Sequence, residues 1–117
     1  MEQLLTMDML FEKMGEYTKT VEEISFAEFQ SYYNDLMTFL QKEYQELGEE
    51  DLVKVKGMTM IVAGNAKMRA MRKDDNRKKF SKMGEKAAFW EDAISRRLNK
   101  DGMKSDDLNE KVGALWE

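Results

Sequence analysis

The side chains that carry out most enzyme chemistry are missing from this sequence. It contains no histidine and no cysteine, so it offers no imidazole base, no thiolate nucleophile and no zinc or iron–sulfur ligand of those types. The phosphate-binding patterns GxxxxGK[ST] and GxGxxG and the nucleophile pattern GxSxG are absent as well. We therefore predict a protein that is not an enzyme and that binds no cofactor.

Carboxylates are the remaining candidates for acid–base or metal chemistry, because the chain has 23 Asp and Glu residues. A magnesium site made only of carboxylates would use patterns such as EExxE and ExxD on helices that face each other, and neither pattern occurs. Glu22 with Glu23 and Glu43 with Glu46 fall at predicted helix ends, where exposed acids are common. Glu43 also continues an apolar series, so it is either half-buried beside a basic partner or extended to the bundle edge. The sequence predicts no catalytic and no metal-binding residue.

Charge is distributed unevenly along the sequence. Residues 1–57 contain 5 Lys or Arg and 13 Asp or Glu, a net charge of −8, whereas residues 58–117 contain 14 and 10, a net charge of +4. Nine of the basic residues lie in the basic segment, residues 67–86. A cluster of this kind can bind phosphate groups with little sequence selectivity. The phosphate-contact candidates are Lys67, Arg69, Arg72, Lys73, Arg77, Lys78, Lys79 and Lys82.

Two properties weigh against a dedicated nucleic-acid-binding protein. The pI is about 5.0, and the pattern around the basic turn lacks the glycine-containing turn and short recognition helix of a helix–turn–helix motif. Basic residues more often form a solvated helix face, or pair with acids such as those of the first half of this chain. Nucleic-acid binding is therefore the alternative function.

Methionine is unusually common, with 11 copies. Its flexible, polarisable side chain suits a surface that receives a partner helix, and it also fills gaps in cores. The spacing predicts that Met58, Met68 and Met83 point inward, which leaves Met60 and Met71 for an exposed patch. Amphipathic aromatic residues are further candidates because they dominate interface energetics, although each also fits a bundle edge. The partner-binding candidates are Met60, Met71, Tyr32, Tyr33, Tyr44 and Trp116.

Helices must position these side chains, since the chain contains no proline and its apolar residues recur every three or four positions. The spacing predicts a first amphipathic helix from Leu4 to Val21. Ser25 and Glu28 form a capping box that begins a second helix, and Gly48 ends it. The wide apolar stripe of the second helix predicts a central, buried position.

A third helix is predicted from the acidic residues 49–51 to about Arg72. It contains Gly57 and Gly64, and each costs about 1 kcal/mol relative to alanine in a helix interior. We expect a compensating feature, which is close approach of a neighbouring helix or, less often, a kink. The face that would receive the neighbour is formed by Ala63, Ala66 and Ala70.

A polar turn over residues 73–79 separates the third helix from a fourth. The residues able to cap the fourth helix are Asp74, Asp75 and Asn76. Its apolar stripe runs from Phe80 to Leu98, and Gly102 ends it. Ser105 opens a short fifth helix. That helix presents Leu108, Val112, Leu115 and Trp116 on one side.

The sequence therefore predicts an all-α fold, a four-helix bundle-like single domain over residues 1–117 with a short additional C-terminal helix. The start lacks a signal-peptide pattern, and the longest apolar run is far shorter than the roughly 20 residues that cross a membrane. We expect a cytoplasmic location and no membrane contact. The predicted function is protein–protein interaction as a regulator, inhibitor or adaptor that forms a homo-oligomer.

Overall fold

The computed structural model describes residues 6–73 and 75–117, and these form an all-α, bundle-like fold without strands. Helices α1 and α2 are followed by a 3-10 turn, a long antiparallel pair, α3 and α4, and a short C-terminal helix, α5. The predicted fold class is confirmed. The bounds are α1 Met7–Lys19, α2 Phe26–Glu43, the 3-10 turn Tyr44–Glu46, α3 Glu49–Ala70, α4 Arg77–Lys100 and α5 Ser105–Gly113.

Side-chain caps fix where the first two helices begin. The Thr6 hydroxyl accepts a hydrogen bond from the backbone N–H of Met9 at 3.3 Å, and the Ser25 hydroxyl accepts one from Glu28 at 3.2 Å. Each satisfies a backbone donor that has no partner within its helix. The predicted start of α2 is confirmed, whereas the predicted start of α1 at Leu4 lies outside the described residues. Helix α1 ends at Lys19, two residues before Val21, which is fully exposed.

The end of α2 is held by a side chain from α4. Helix α2 ends at Glu43, before the 3-10 turn, so the helix stops short of the predicted Gly48. Arg97 donates from Nη2 to the carbonyl of Leu47 at 2.7 Å and from Nη1 to the carbonyl of Tyr44. These carbonyls lie after the end of α2, where no backbone N–H of the helix is available to bond them. A charge-assisted contact therefore ties the exit from α2 to α4.

The packing of α3 against α4 depends on small residues. A Cβ atom built on Gly84 would lie 3.3 Å from the Cβ of Ala66 and 3.6 Å from the carbonyl oxygen of Ala63. This is the close approach predicted for the alanine face, and a side chain at position 84 would fit tightly against Ala66. The salt bridge between Lys56 and Glu91, at 2.9 Å, joins the same helices further along.

The turn between α3 and α4 is shorter than predicted. Helix α4 begins at Arg77, so three residues assigned to the turn from sequence form its first helical residues. The helix follows Asn76, one of the predicted caps, whereas Asp74 lies outside the described residues. The first turn of α4 contains no acid. It contains Arg77, Lys78 and Lys79, whose positive charges are unfavourable there because the helix dipole favours negative charge at the N-terminus.

One core is built from all the helices. Its fully buried side chains include Leu10, Leu36, Leu40, Met58, Phe80, Ile94 and Leu98. Tyr32 is also buried, and its hydroxyl donates to the carbonyl of Leu10 at 2.9 Å. Burial raises the pKa of this hydroxyl far above its ordinary value, since the phenolate would lose its hydration. The hydrogen bond keeps a polar atom satisfied inside the core.

The residues after α5 return to α1 and α3. The indole N–H of Trp116 donates to the carbonyl of Phe11 at 3.1 Å, and the two rings stack with centroids 5.0 Å apart. A Cβ atom on Gly57 would lie 2.5 Å from Cδ1 of Leu115 and 3.0 Å from the Trp116 ring. The glycine is therefore required for this contact. A Cβ atom built on Gly64 would have no described atom within 4 Å. Close approach therefore explains Gly57 and does not explain Gly64.

We expect opposite effects from alanine at the two glycines of α3. Gly64→Ala should raise the free energy of unfolding by about 1 kcal/mol, because it removes backbone entropy at an open helical position. Gly57→Ala should lower it, because the methyl group displaces Leu115 and Trp116 and breaks the bond to Phe11. Urea denaturation at low protein concentration measures both. Equal gains at the two positions would contradict the close contact at Gly57.

Candidate interaction surface

The outer side of α3 carries a row of exposed methionines and one glycine. We call this row the methionine face, and it consists of Met60, Gly64, Met68 and Met71, the last of which directly follows α3. The exposed Lys67 lies beside this row, three residues after Gly64. The spacing of four, four and three residues places these positions on one side of a helix. Met60 is 41% exposed, Met68 48% and Met71 87%. Exposed methionines grouped in this way are typical of a surface that binds another protein.

The methionine face continues a surface that the chain itself covers. Gly57 lies on the same side of α3 as Gly64, seven residues earlier, and is buried under Leu115 and Trp116. Beyond Gly57 the covering segment ends and the methionines begin. One side of α3 is thus occupied by apolar side chains in its first half and open in its second.

The inner sides of α3 are apolar as well. Val55, Met58 and Val62 are buried in the core while Met60 and Met68 lie outside. Apolar residues therefore lie on more than one side of α3, with polar residues such as Lys56, Asn65 and Lys67 between them. The prediction that Met68 points inward is wrong, because the spacing of apolar residues does not mark a single inner side of this helix. Met58 and Met83 are buried and Met60 and Met71 exposed, as the spacing predicts.

The aromatic partner-binding candidates serve the fold of the chain itself. Tyr32 is 3% exposed, so it is not available to a partner. The Tyr44 hydroxyl donates to the carbonyl of Ala93 at 3.1 Å, and Trp116 is held by Phe11. Tyr33 is half-buried, and burial raises the pKa of its hydroxyl. In Tyr32, Tyr44 and Trp116 the polar tip of the ring donates to a backbone carbonyl, and for Tyr44 and Trp116 this is the bundle-edge alternative.

In the basic segment, some residues contact a carboxylate or an aromatic ring of the chain and others do not. Arg72 donates from Nη1 to both carboxylate oxygens of Glu23 at 2.8 Å, and the ammonium of Lys79 lies 5.4 Å from the centre of the Phe26 ring. Five other candidates are exposed, with no described carboxylate oxygen within 4.0 Å of their charged groups. They are Lys67, Lys73, Arg77, Lys78 and Lys82.

Arg69 is a core residue, and this corrects its assignment as a phosphate contact. It is 7% exposed, with its guanidinium carbon 4.4 Å from the centre of the Phe80 ring and 5.7 Å from that of Phe29. Its Nε lies 3.3 Å from an oxygen of Glu23. Its Nη1 is buried and has no hydrogen-bond partner among the described residues. The cation is therefore held by ring faces and one carboxylate, and it cannot reach a phosphate outside the protein.

The described acids are not arranged for metal chemistry. Within residues 6–73 and 75–117 no three carboxylates are close enough to hold a metal ion together. Glu43 is exposed, which agrees with the alternative that it extends to the edge of the bundle.

A cavity of about 280 Å³ lies beside the α1–α2 connection and α3, with Tyr17, Phe29 and Ile61 among its lining residues. The Thr18 and Thr20 hydroxyls at this cavity donate to backbone carbonyls of α1. These hydroxyls stabilise the end of α1.

No helix in the part of the chain that the structure describes is long and apolar enough to cross a membrane. The chain matches no family model, and it matches no curated protein and no solved structure. The surfaces described above are therefore the basis for a functional proposal.

We expect Glu23 to stabilise the fold more than an ordinary surface acid does. Glu23→Gln should lower the free energy of unfolding by roughly 2 kcal/mol, because it leaves the buried Arg69 cation without its carboxylate. Asp92→Asn is the matched control. It breaks the exposed pair between Asp92 and Arg96 and should change the value by less than about 0.5 kcal/mol. Urea denaturation of both variants measures the difference, and equal effects would contradict the role of Glu23.

Proposed function

We propose that this protein is a small non-enzymatic helical protein that acts through protein–protein contact, as a regulator, inhibitor or adaptor, and that it self-associates. The observation that carries the proposal is the methionine face, a row of exposed apolar side chains on a helix whose inner side is buried in the core. The absence of histidine and cysteine fits a protein that binds rather than catalyses. A cytoplasmic location belongs to the same proposal and is compatible with a chain without cysteine.

Hydrophobic burial gives this surface its expected affinity. Covering an exposed methionine side chain stabilises a complex by about 1.5–3 kcal/mol where it becomes fully buried. Methionine also adapts to its partner through three rotatable bonds, so the surface does not require one fixed shape. Gly64 between Met60 and Met68 lets a partner approach the helix backbone closely.

Charge on the methionine face should abolish self-association without unfolding the protein. In Met68→Glu/Met71→Glu we expect the dissociation constant of the oligomer to rise by about tenfold or more, because both carboxylates would have to lose their hydration at the interface. Sedimentation equilibrium over a range of protein concentrations measures the constant. Circular dichroism checks that the helices remain.

Phe89→Glu is the matched control for this experiment. Phe89 is 67% exposed on α4, outside the methionine face, so the variant adds one charge at another exposed apolar position. It should self-associate like the parent protein. If the parent associates and Met68→Glu/Met71→Glu associates equally well, the methionine face is the wrong surface. If the parent stays monomeric at every concentration, the self-association part of the proposal is wrong.

Nucleic-acid association is the second candidate, and four exposed residues of the basic segment favour it. They have no carboxylate partner among the described residues, and they are Lys73 in the turn before α4 and Arg77, Lys78 and Lys82 at the start of α4. Contacts from such residues would be made to phosphates rather than to base edges. Their affinity would therefore depend on salt and hardly on sequence.

Fluorescence anisotropy with labelled DNA and RNA across a salt series tests this alternative. If the protein binds, Arg77→Glu/Lys78→Glu/Lys79→Glu should weaken binding to unrelated sequences alike. It should reduce the slope of log affinity against log salt by at least about 2, one for each phosphate contact of the exposed Arg77 and Lys78.

The control variant is Lys42→Glu/Lys100→Glu/Lys104→Glu, which changes the net charge equally at exposed positions elsewhere. It should bind more tightly than the first variant. Equal loss in both would indicate a general effect of net charge, and no binding at low salt would exclude the nucleic-acid function.

A further inference from the structure

We infer that the methionine face is covered by a second copy of this chain, with the two α3 helices packed antiparallel across a two-fold axis at Gly64. The inference rests on the proposed function and specifies its partner and geometry. Three independent features carry it, namely the symmetry of the face, the open position above Gly64 and the charges at the two ends of α3.

The central part of the face, from Met60 to Met68, has the symmetry that a two-fold interface requires, whereas Met71 lies opposite the partner subunit's Gly57, where Leu115 and Trp116 cover α3. Met60 lies four residues before Gly64 and Met68 four residues after it. In an antiparallel pair centred on Gly64, Met60 therefore lies opposite the partner subunit's Met68, and the reverse contact forms on the other side of the axis. A dimer with two-fold symmetry needs a surface that is complementary to itself in this way.

The other glycines in helix interiors show what such positions do in this fold. A Cβ atom on Gly15 would lie 2.9 Å from the Trp116 ring, and those on Gly57 and Gly84 would meet Leu115 and Ala66 at 2.5 and 3.3 Å. Each of these glycines receives a neighbour. Gly64 alone among the four has no described atom within 4 Å, although it destabilises the helix like the others. A second α3 supplies the missing neighbour.

The charges on α3 favour antiparallel over parallel packing. The helix begins with Glu49, Glu50 and Asp51. At its other end stand the exposed Lys67 and the basic α3–α4 turn. With the axis at Gly64, the acidic start of each helix extends past residue 70 of the other, on the side of its basic end, whereas a parallel pair brings like charges together. The helix dipoles favour the same arrangement. The charges of α3 therefore favour an antiparallel second copy over a parallel one.

Single-cysteine variants test the geometry directly, because the parent chain contains no cysteine. Met60→Cys and Met68→Cys are prepared separately, one of them with an affinity tag that resolves it by size, and are mixed and treated with a short bifunctional thiol reagent. We expect the mixed covalent dimer to form at least about tenfold faster than either same-residue dimer. In the antiparallel pair two copies of position 60 are separated by eight residues along the axis, about 12 Å.

Met9→Cys mixed with Phe89→Cys is the control, since both positions are exposed and apolar but lie on other helices. The mixture of these two variants should form covalent dimers no faster than either variant does by itself. Gly64→Leu gives a second test without a reagent, because the leucine side chain would occupy the crossing point. It should raise the dimer dissociation constant about tenfold or more while circular dichroism and urea denaturation show a folded chain.

The outcomes separate this inference from the proposed function. Faster same-residue cross-linking at positions 60 or 68 indicates parallel packing and overturns the inference. A dimer that Met68→Glu/Met71→Glu disrupts, without mixed cross-linking and without an effect of Gly64→Leu, overturns the antiparallel geometry and leaves the proposed function in place. A chain that is monomeric at every concentration overturns both the inference and the self-association part of the proposed function. If another protein then binds the methionine face, that protein and not a second copy is its partner.

Discussion

The close contact between α3 and α4 is the constraint on which the rest of the structure depends. A Cβ atom on Gly84 would lie only 3.3 Å from the Cβ of Ala66, so the two longest helices lie side by side with their backbones near each other. This packing fixes Phe80 beneath the Arg69 cation and Glu91 beside Lys56. It also decides which side of α3 is turned away from the core.

The position of α3 explains why one small chain has an apolar surface left over. The core covers its inner sides, and the C-terminal residues Leu115 and Trp116 cover only the first part of its outer side. Small domains bury a smaller share of their surface than large ones, and among the described residues no segment covers the second part of the outer side of this 22-residue helix. The exposed methionines lie in that part.

Local signals in the sequence predicted more of this structure than long-range ones. The cap at Ser25, the alanine face of α3 and the stripe of α4 depend on neighbours within one or two turns, and each is confirmed by the structure. The roles of Tyr32 and Arg69 depend on partners 22 and 46 residues away in the chain, which spacing does not encode. The exposure of Met68 does not follow from spacing either, because apolar residues lie on more than one side of α3.

The contact between Trp116 and Phe11 joins residues 105 positions apart, and this separation affects how the chain folds. The α3–α4 hairpin is local, so its formation requires closure of only a short loop, whereas the Trp116 contact requires ordering of nearly the whole chain. We expect the hairpin to form early and the C-terminal contact to form late. In native-state hydrogen exchange the same contact should open at a lower free energy than the α3–α4 pair, so the covered half of the outer side of α3 would be exposed transiently in the folded protein.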